Sequence, residues 1–256
     1  MVTADRPGAG PVAGAAARTV AAGSARVFAA WCSGTPVPEA GDRRSEGVAD
    51  LRARRARVLA VPFGTERFTR ELATSGDGQP DDLSDVVHEE VYDGAAGYLK
   101  VGDAWTIFFG LVDPRGPRGP NDPLWPLDAL FGARDDGVVV GVEDVRGEPA
   151  TRYRLSVDLG LADARLPAGV SVPSGPYRAL SRLPAEVWLD SGGLARRIAV
   201  AEDLMGTPDR QVWAVVELWD FGLPVQINPP DRDDVVAPAC AYQRAYGDTP
   251  DAASSG

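Results

Sequence analysis

The sequence predicts a mainly β protein of the α+β class, built on an antiparallel sheet with a few short helices. Several segments alternate apolar and polar residues, which is the pattern of strands buried on one face. Turn residues separate these segments, and convincing helical stretches are few and short. A chain of 256 residues can bury one sizeable core, so we expect a single domain.

Both ends of the chain are rich in small residues and carry little to bury. We therefore expect disordered tails at 1–17 and 247–256 around one domain at 18–246. Inside the domain, the Pro/Gly-rich stretch 113–123 cannot form a helix or a central strand, and we interpret it as a flap.

The strand pattern recurs along most of the domain. Strands are predicted at 19–31, 86–92, 97–108, 137–146, 152–159, in both halves of 183–200, and at 212–222. The segment 212–222 is apolar on both faces apart from Glu217, which indicates a strand covered on both sides. The segment 47–61 stays open between a helix and a strand with an arginine-rich outer face.

Residues 183–200, LPAEVWLDSGGLARRIAV, are typical of a β-hairpin. Val187 and Leu189 alternate with Trp188, residues 191–193 form the turn, and Ile198 and Val200 return on the partner strand. The predicted helices are 123–133, which Asp122 would cap, and 176–183.

Charge and hydropathy exclude two classes of partner. The net charge of -11 repels phosphate backbones, so we expect no nucleic acid. No apolar run approaches the roughly 20 residues of a membrane-spanning helix, so we expect a protein that does not span a membrane.

The N-terminus lacks the pattern of a signal peptide, which predicts a cytoplasmic protein as written, exported only if a signal segment is missing from this chain.

Residues that commonly carry catalysis are scarce. His88 is the single histidine, and Cys32 and Cys240 match no metal-binding spacing. Adjacent acidic pairs such as Glu89 and Glu90 would point to opposite faces of a strand. For Glu217 we expect a buried ion pair with an arginine such as Arg154 or Arg197. We therefore predict no enzyme, no catalytic residues, no cofactor and no metal.

Three motifs carry a resemblance to a known family. They are TRYRLSVDL, the hairpin sequence above with its Val-Trp-Leu-Asp and glycine turn, and DFGLPVQINPP. In this order they are similar to the C-terminal half of bacterial lipid-binding lipoproteins of the LppX/LprG type. These proteins belong to a superfamily with the lipoprotein carrier LolA and the sensor RseB. The resemblance covers about 145–232, and GVADLRARR and VYDGAAGYLKVGDAW look like earlier strands of the family.

The resemblance implies a strongly curved antiparallel sheet, a half-barrel, whose concave face is plugged by short helices around an apolar cavity. It implies non-catalytic binding of a lipid or other apolar small molecule, as a carrier or sensor. The expected cavity residues are Leu127, Leu130, Phe131, Tyr153, Leu155, Val157, Val187, Leu189, Ile198, Val200, Trp213 and Trp219. Two alternatives stay open. One is a protein-interaction or regulatory domain, with a protein partner and a filled cavity. The other is a carboxylate-dependent enzyme.

Overall fold

The structure is a computed structural model that describes residues 10–38, 43–61, 88–109, 122–134, 136–167, 170–172, 182–202, 212–237 and 240. Within these residues, twelve strands form one curved, unclosed sheet, so the prediction of a mainly β half-barrel is confirmed. The strands are β1 (Ser24–Ser33), β2 (Arg43–Asp50), β3 (Arg55–Val61), β4 (His88–Asp93), β5 (Ala96–Val101), β6 (Ala104–Phe109), β7 (Val138–Val145), β8 (Glu148–Asp158), β9 (Arg182–Leu189), β10 (Ala195–Glu202), β11 (Val212–Trp219) and β12 (Val235–Val236). The helices are α1 (Ala15–Ala21), α2 (Trp125–Ala129) and α3 (Leu159–Arg165), and short 3-10 turns cover Leu130–Gly132 and Arg232–Asp234.

Two antiparallel meanders make the sheet. One runs from β1 to β6 and the other from β7 to β11, and they join where β1 pairs with β11 at the centre. The short β12 adds a parallel pairing beside β6. The outermost strands are therefore β12 and β7.

The segment 47–61, left open between helix and strand, folds as a hairpin. It contains the end of β2, a turn at 51–54 and β3. Arg54 closes the turn with a backbone φ of 60°, in the left-handed region that residues other than glycine rarely adopt. The strand interpretation is correct for both arms of the hairpin. The apolar residues matched a helical spacing in part only because they were counted as one continuous element, although the turn at 51–54 divides them.

Helix α1 begins inside the predicted N-terminal tail, before the expected domain start at residue 18, and it includes residues 19–21, which were expected to begin a strand. The stretch is ordered because Val12, Ala15, Ala16 and Thr19, at helical spacing, are all buried. Residues 1–9 and 247–256 lie outside the described residues.

The other helices partly match the sequence prediction. Helix α2 and its 3-10 extension lie within the predicted 123–133, but the expected cap is not observed, because the N-cap residue is Leu124 and it makes no side-chain cap hydrogen bond. Asp122 Oδ1 instead accepts a hydrogen bond from the Leu124 N–H at 2.8 Å, in the turn before the helix. Of the predicted helix 176–183, Arg182 and Leu183 begin β9, and the rest lies outside the described residues. Residues 113–121 of the expected flap also lie outside the described residues. Helix α3 was not predicted.

Hydrophobic side chains form cores on both faces of the sheet. We call the face that packs against the three helices the inner face, and it carries the larger core. The opposite, outer face carries a smaller core that contains Trp188, Trp213 and Cys32. No described helix has the length and apolar character needed to cross a membrane.

Candidate functional site

The inner face brings together ten of the twelve predicted cavity residues. Eight are buried in one continuous core: Leu127, Leu130, Leu155, Val157, Val187, Leu189, Ile198 and Val200. The aromatic side chains of Phe131 and Tyr153 are partly buried and pack against the same core. The site is thus formed by α2 and its 3-10 extension on one side and by strands β8, β9 and β10 on the other.

Trp213 and Trp219 lie on the outer face, so the structure separates them from the other ten residues. Side chains on a strand alternate, and on β11 it is Ala214, Val216 and Leu218 that join the inner core. Trp213 belongs to the outer core, and the partly buried Trp219 ring lies under the Arg146 guanidinium at 4.1 Å. Because β11 is apolar on both faces, its sequence alone could not assign the tryptophans to one face.

The centre of the inner face is closely packed in this conformation. Val157, Val187, Ile198 and Val200 have no solvent-accessible surface. A side chain without accessible surface borders no space large enough for a water molecule. An apolar ligand could therefore contact these four residues only if the helices moved away from the sheet.

Three described contacts hold the helix layer in place. In the first, the buried Arg54 in the β2–β3 turn forms an ion pair with Asp128 of α2. In the second, Gly132 approaches β8 so closely that an added Cβ would lie 2.1 Å from the Asp158 carbonyl oxygen. The third joins α1 to the hairpin, where the Ala195 N–H donates to Thr19 Oγ1 at 2.9 Å.

These anchors were missed by the sequence analysis. The stripe formed by Val12, Ala15, Ala16 and Thr19 was a usable signal for α1, but the small side chains resembled a low-complexity tail. Asp158 was a usable cap signal for α3, since its side chain accepts a hydrogen bond from the Leu161 N–H at 3.0 Å. The pairing of Arg54 with Asp128 had no signal in the sequence, because it joins two distant elements.

The outer face carries a network of arginines, carboxylates and tryptophans. Glu186 accepts hydrogen bonds from Arg152 and Arg154, and Glu143 accepts from the Trp188 indole at 2.8 Å. The hydrogen bond from Trp188 and the neighbouring Arg152 lower the pKa of Glu143. These contacts satisfy buried polar groups within the sheet, which is a structural role.

The acidic residue singled out from the sequence belongs to the same network. Glu217 pairs with Arg197 at 2.6 Å, as predicted, and also with Arg146 at 2.7 Å, whereas Arg154 binds Glu186 instead. Arg146 lies in the β7–β8 turn, so this contact brings the turn against β11. Held by two cations, Glu217 has the geometry of a structural anchor.

The remaining chemistry-bearing residues include His88 and its neighbours Glu89 and Glu90 at the start of β4, where Glu89 also lies 3.7 Å from the Lys100 ammonium. Burial lowers the pKa of His88 by disfavouring its charged form, and a hydrogen bond with the Lys100 backbone partly offsets this. Glu89 and Glu90 point to opposite faces, as predicted, because Glu89 pairs with Arg57 while Glu90 accepts a hydrogen bond from Tyr92. The described residues include no group of side chains able to hold a metal ion.

Solved structures to which the chain is similar include two mycobacterial proteins. LprF from Mycobacterium bovis has 13% identity and a TM-score of 0.48 over 86% of this chain and 95% of that chain. The Mycobacterium tuberculosis lipoprotein LppX has 13% identity and a TM-score of 0.46 over 85% of this chain and 98% of that one. A LolA superfamily protein from Nitrosomonas europaea has 9% identity and a TM-score of 0.30 over 88% and 95%.

The name of the third structure contains that of the LolA superfamily, which the sequence motifs also indicate, but all three TM-scores lie below 0.5. At these identities the likeness concerns the general architecture and identifies no ligand. No protein-family model matches the chain, and no curated protein matches it.

Proposed function

We propose that the inner face binds a lipid or another apolar small molecule without catalysing a reaction, as a carrier or sensor. The observation that carries this proposal is a sheet face of aliphatic residues that, in the part of the chain the structure describes, is covered by short helices. A helix of five to seven residues has little stability of its own, so its position depends on the contacts it makes. A layer of such short helices can separate from the sheet at a lower free-energy cost than a second packed sheet could.

The proposed point of entry is the margin of the inner core. Phe131 and Tyr153 expose part of their rings there while the rest of each side chain packs against buried aliphatic residues. Partly exposed aromatic surface that continues into a core is a favourable first contact for an acyl chain. Movement of α2 and its 3-10 extension, which carry Leu127 and Leu130, would then extend the contact over β8, β9 and β10.

A fluorescent fatty acid, cis-parinaric acid, tests this proposal on the full chain after lipid extraction. We expect saturable binding, weakened about tenfold by Phe131→Ala, because a loss of about 1.4 kcal/mol corresponds to removal of part of one aromatic contact. The matched control is Phe28→Ala. Phe28 is also partly buried but packs on the outer face against Arg146, so we expect its replacement to leave the affinity unchanged.

The result that contradicts the proposal is absence of saturable binding, or equal loss in the two variants. Native mass spectrometry of the freshly purified protein provides a second measurement, because a bound acyl-chain compound would appear as a defined added mass.

A second candidate function is a protein-interaction domain whose core is filled. The complete burial of Val157, Val187, Ile198 and Val200 favours it, since these side chains already have protein neighbours. This candidate predicts no added mass and no binding of cis-parinaric acid, which separates it from the lipid-binding proposal.

A further inference from the structure

The edge strand β7 exposes an unusual amount of apolar surface. Val138, Val139, Val140 and Val142 are 65%, 60%, 43% and 69% exposed. They account for four of the six large hydrophobic residues that are exposed among the described residues. Proteins commonly protect edge strands with charges, prolines or a covering segment, because an unpaired edge can bind another strand.

The exposed valines lie on a free backbone edge. Among the described residues β7 pairs only with β8, on one side, so its opposite side presents unpaired N–H and C=O groups. Val139 and Val142 lie opposite Tyr153 and Thr151 of β8, and Val138 lies opposite Arg154. Valines therefore project from both faces of the edge, and an added strand would find an apolar neighbour on either face.

The register of β7 also matters for the choice of partner. The pairing with β8 shifts between Val139 and Gly141, which marks a β-bulge at Val140. A bulge bends the strand and increases its twist. One extended peptide can follow one bent edge, whereas two copies of β7 would have to match two bulges to each other.

Acidic residues bracket the valines. Asp136 precedes β7 and Asp144 lies near its end, eight positions further along the chain, and both are exposed. Asp136 accepts hydrogen bonds from Ser156 of β8 and Asp144 accepts one from the Gly147 N–H, so each carboxylate keeps part of its capacity for a further cation. Two exposed cations of this strand pair, Arg154 on β8 and Arg146 in the β7–β8 turn, are already paired with Glu186 and Glu217. In a two-fold pairing of two β7 strands centred on Val140, Asp136 of each copy would face Asp144 of the other. Charge thus disfavours a second copy and favours an added strand with basic ends.

We propose that the free edge of β7 binds an extended segment of a partner protein, in which apolar residues alternate with polar ones and lysine or arginine lies at both ends. Main-chain hydrogen bonds to the edge would supply affinity, contacts with the valines would select apolar side chains, and the two aspartates would select the basic ends. This binding surface is distinct from the inner-face ligand site.

The test uses two fluorescein-labelled nine-residue peptides of alternating valine and threonine, one with lysine and the other with glutamate at both ends. Fluorescence anisotropy with the full chain measures each dissociation constant. We expect the lysine-ended peptide to bind at least about tenfold more tightly, and the difference to shrink at 1 M salt, where charges are screened within about 3 Å. Amide hydrogen exchange over 138–145 should slow when this peptide is bound.

Two variants separate edge binding from general attraction to apolar surface. Val142→Lys places a like charge beside the lysine-ended peptide and should weaken its binding about tenfold. Leu59→Lys is the matched control, because Leu59 is 57% exposed but lies on β3, which is paired on both sides. We expect it to leave the affinity unchanged. Both positions are exposed, and circular dichroism checks that both variants are folded.

Equal binding of the two peptides, or equal effects of the two variants, would overturn the proposal. Sedimentation equilibrium supplies the remaining decisive outcome. If the wild-type chain forms a dimer that Val142→Lys converts to a monomer, the occupant of the edge is a second copy, and the proposed partner segment is wrong.

Discussion

Replacing Asp128 by alanine removes half of the buried ion pair that joins α2 to the β2–β3 turn. The Asp128 and Arg54 side chains are 2% and 11% exposed, so the remaining guanidinium would stay in a poorly hydrated place. Removing one partner of a buried pair costs about 3–5 kcal/mol, whereas replacing both by apolar residues of similar volume is often neutral. We expect Asp128→Ala to lower the free energy of unfolding by about 3 kcal/mol. The double variant Arg54→Met/Asp128→Leu should recover most of this loss.

Urea unfolding followed by tryptophan fluorescence and far-UV circular dichroism measures these differences. The control is Arg26→Ala, which breaks the exposed pair between Arg26 and Asp220, with side chains 52% and 61% exposed. Exposed pairs contribute about 0–1 kcal/mol, so this variant should remain close to the wild type. The reasoning fails if Asp128→Ala costs less than about 1 kcal/mol, or if the double variant is no more stable than the single one.

Two further predictions concern stability. Gly132→Ala should destabilise the protein by about 2–3 kcal/mol in the same urea assay, because the new Cβ would collide with a β8 carbonyl oxygen. Gly141→Ala is the control and should change the stability little, because there is open space around Gly141. Similar losses in both variants would contradict the close approach of Gly132 to β8. Glu143→Gln tests a pH effect. The pKa of Glu143 lies below its ordinary value of 4.5, so its contribution is present above that value and is lost as the pH falls through the folded-state pKa. The stability difference between wild type and Glu143→Gln should therefore narrow as the pH falls below about 4.5, and a difference that stays constant would argue against the Trp188 hydrogen bond as the cause of the lowered pKa.

Strands were predictable where the sequence alternates. In 152–159, inward-pointing Leu155 and Val157 are buried on the inner face while Arg154 is exposed, and the strand follows directly from period two. The hairpin 183–200 was predictable from its glycine turn. Helix α1 had a usable signal in the spacing of Val12, Ala15 and Thr19, but a weak one, because alanine is equally compatible with a buried helix and a disordered tail. A tertiary contact favours the helix in this segment, since the Ala195 N–H of the hairpin donates a hydrogen bond to Thr19.

The candidate site was predictable only in part. Alternation assigns Val187, Leu189, Ile198 and Val200 to one face, and the structure places them together. It could not assign Trp213 and Trp219, since every position of β11 is apolar except Glu217. Nor could it show that the helices pack closely on the strands, because packing depends on the separation of elements far apart in the chain.

The pairing of β1 with β11 has a consequence for how the chain reaches its native state. Arg26 lies opposite Trp219, so the central ladder of the sheet joins residues about 190 positions apart. Contacts this distant in sequence close slowly, since the entropy of a long loop is lost before the pairing is gained. During synthesis, the side of β1 that pairs with β11 would stay unpaired until β11 had emerged, and in that interval it would be exposed to chaperones and to misassembly with neighbouring chains.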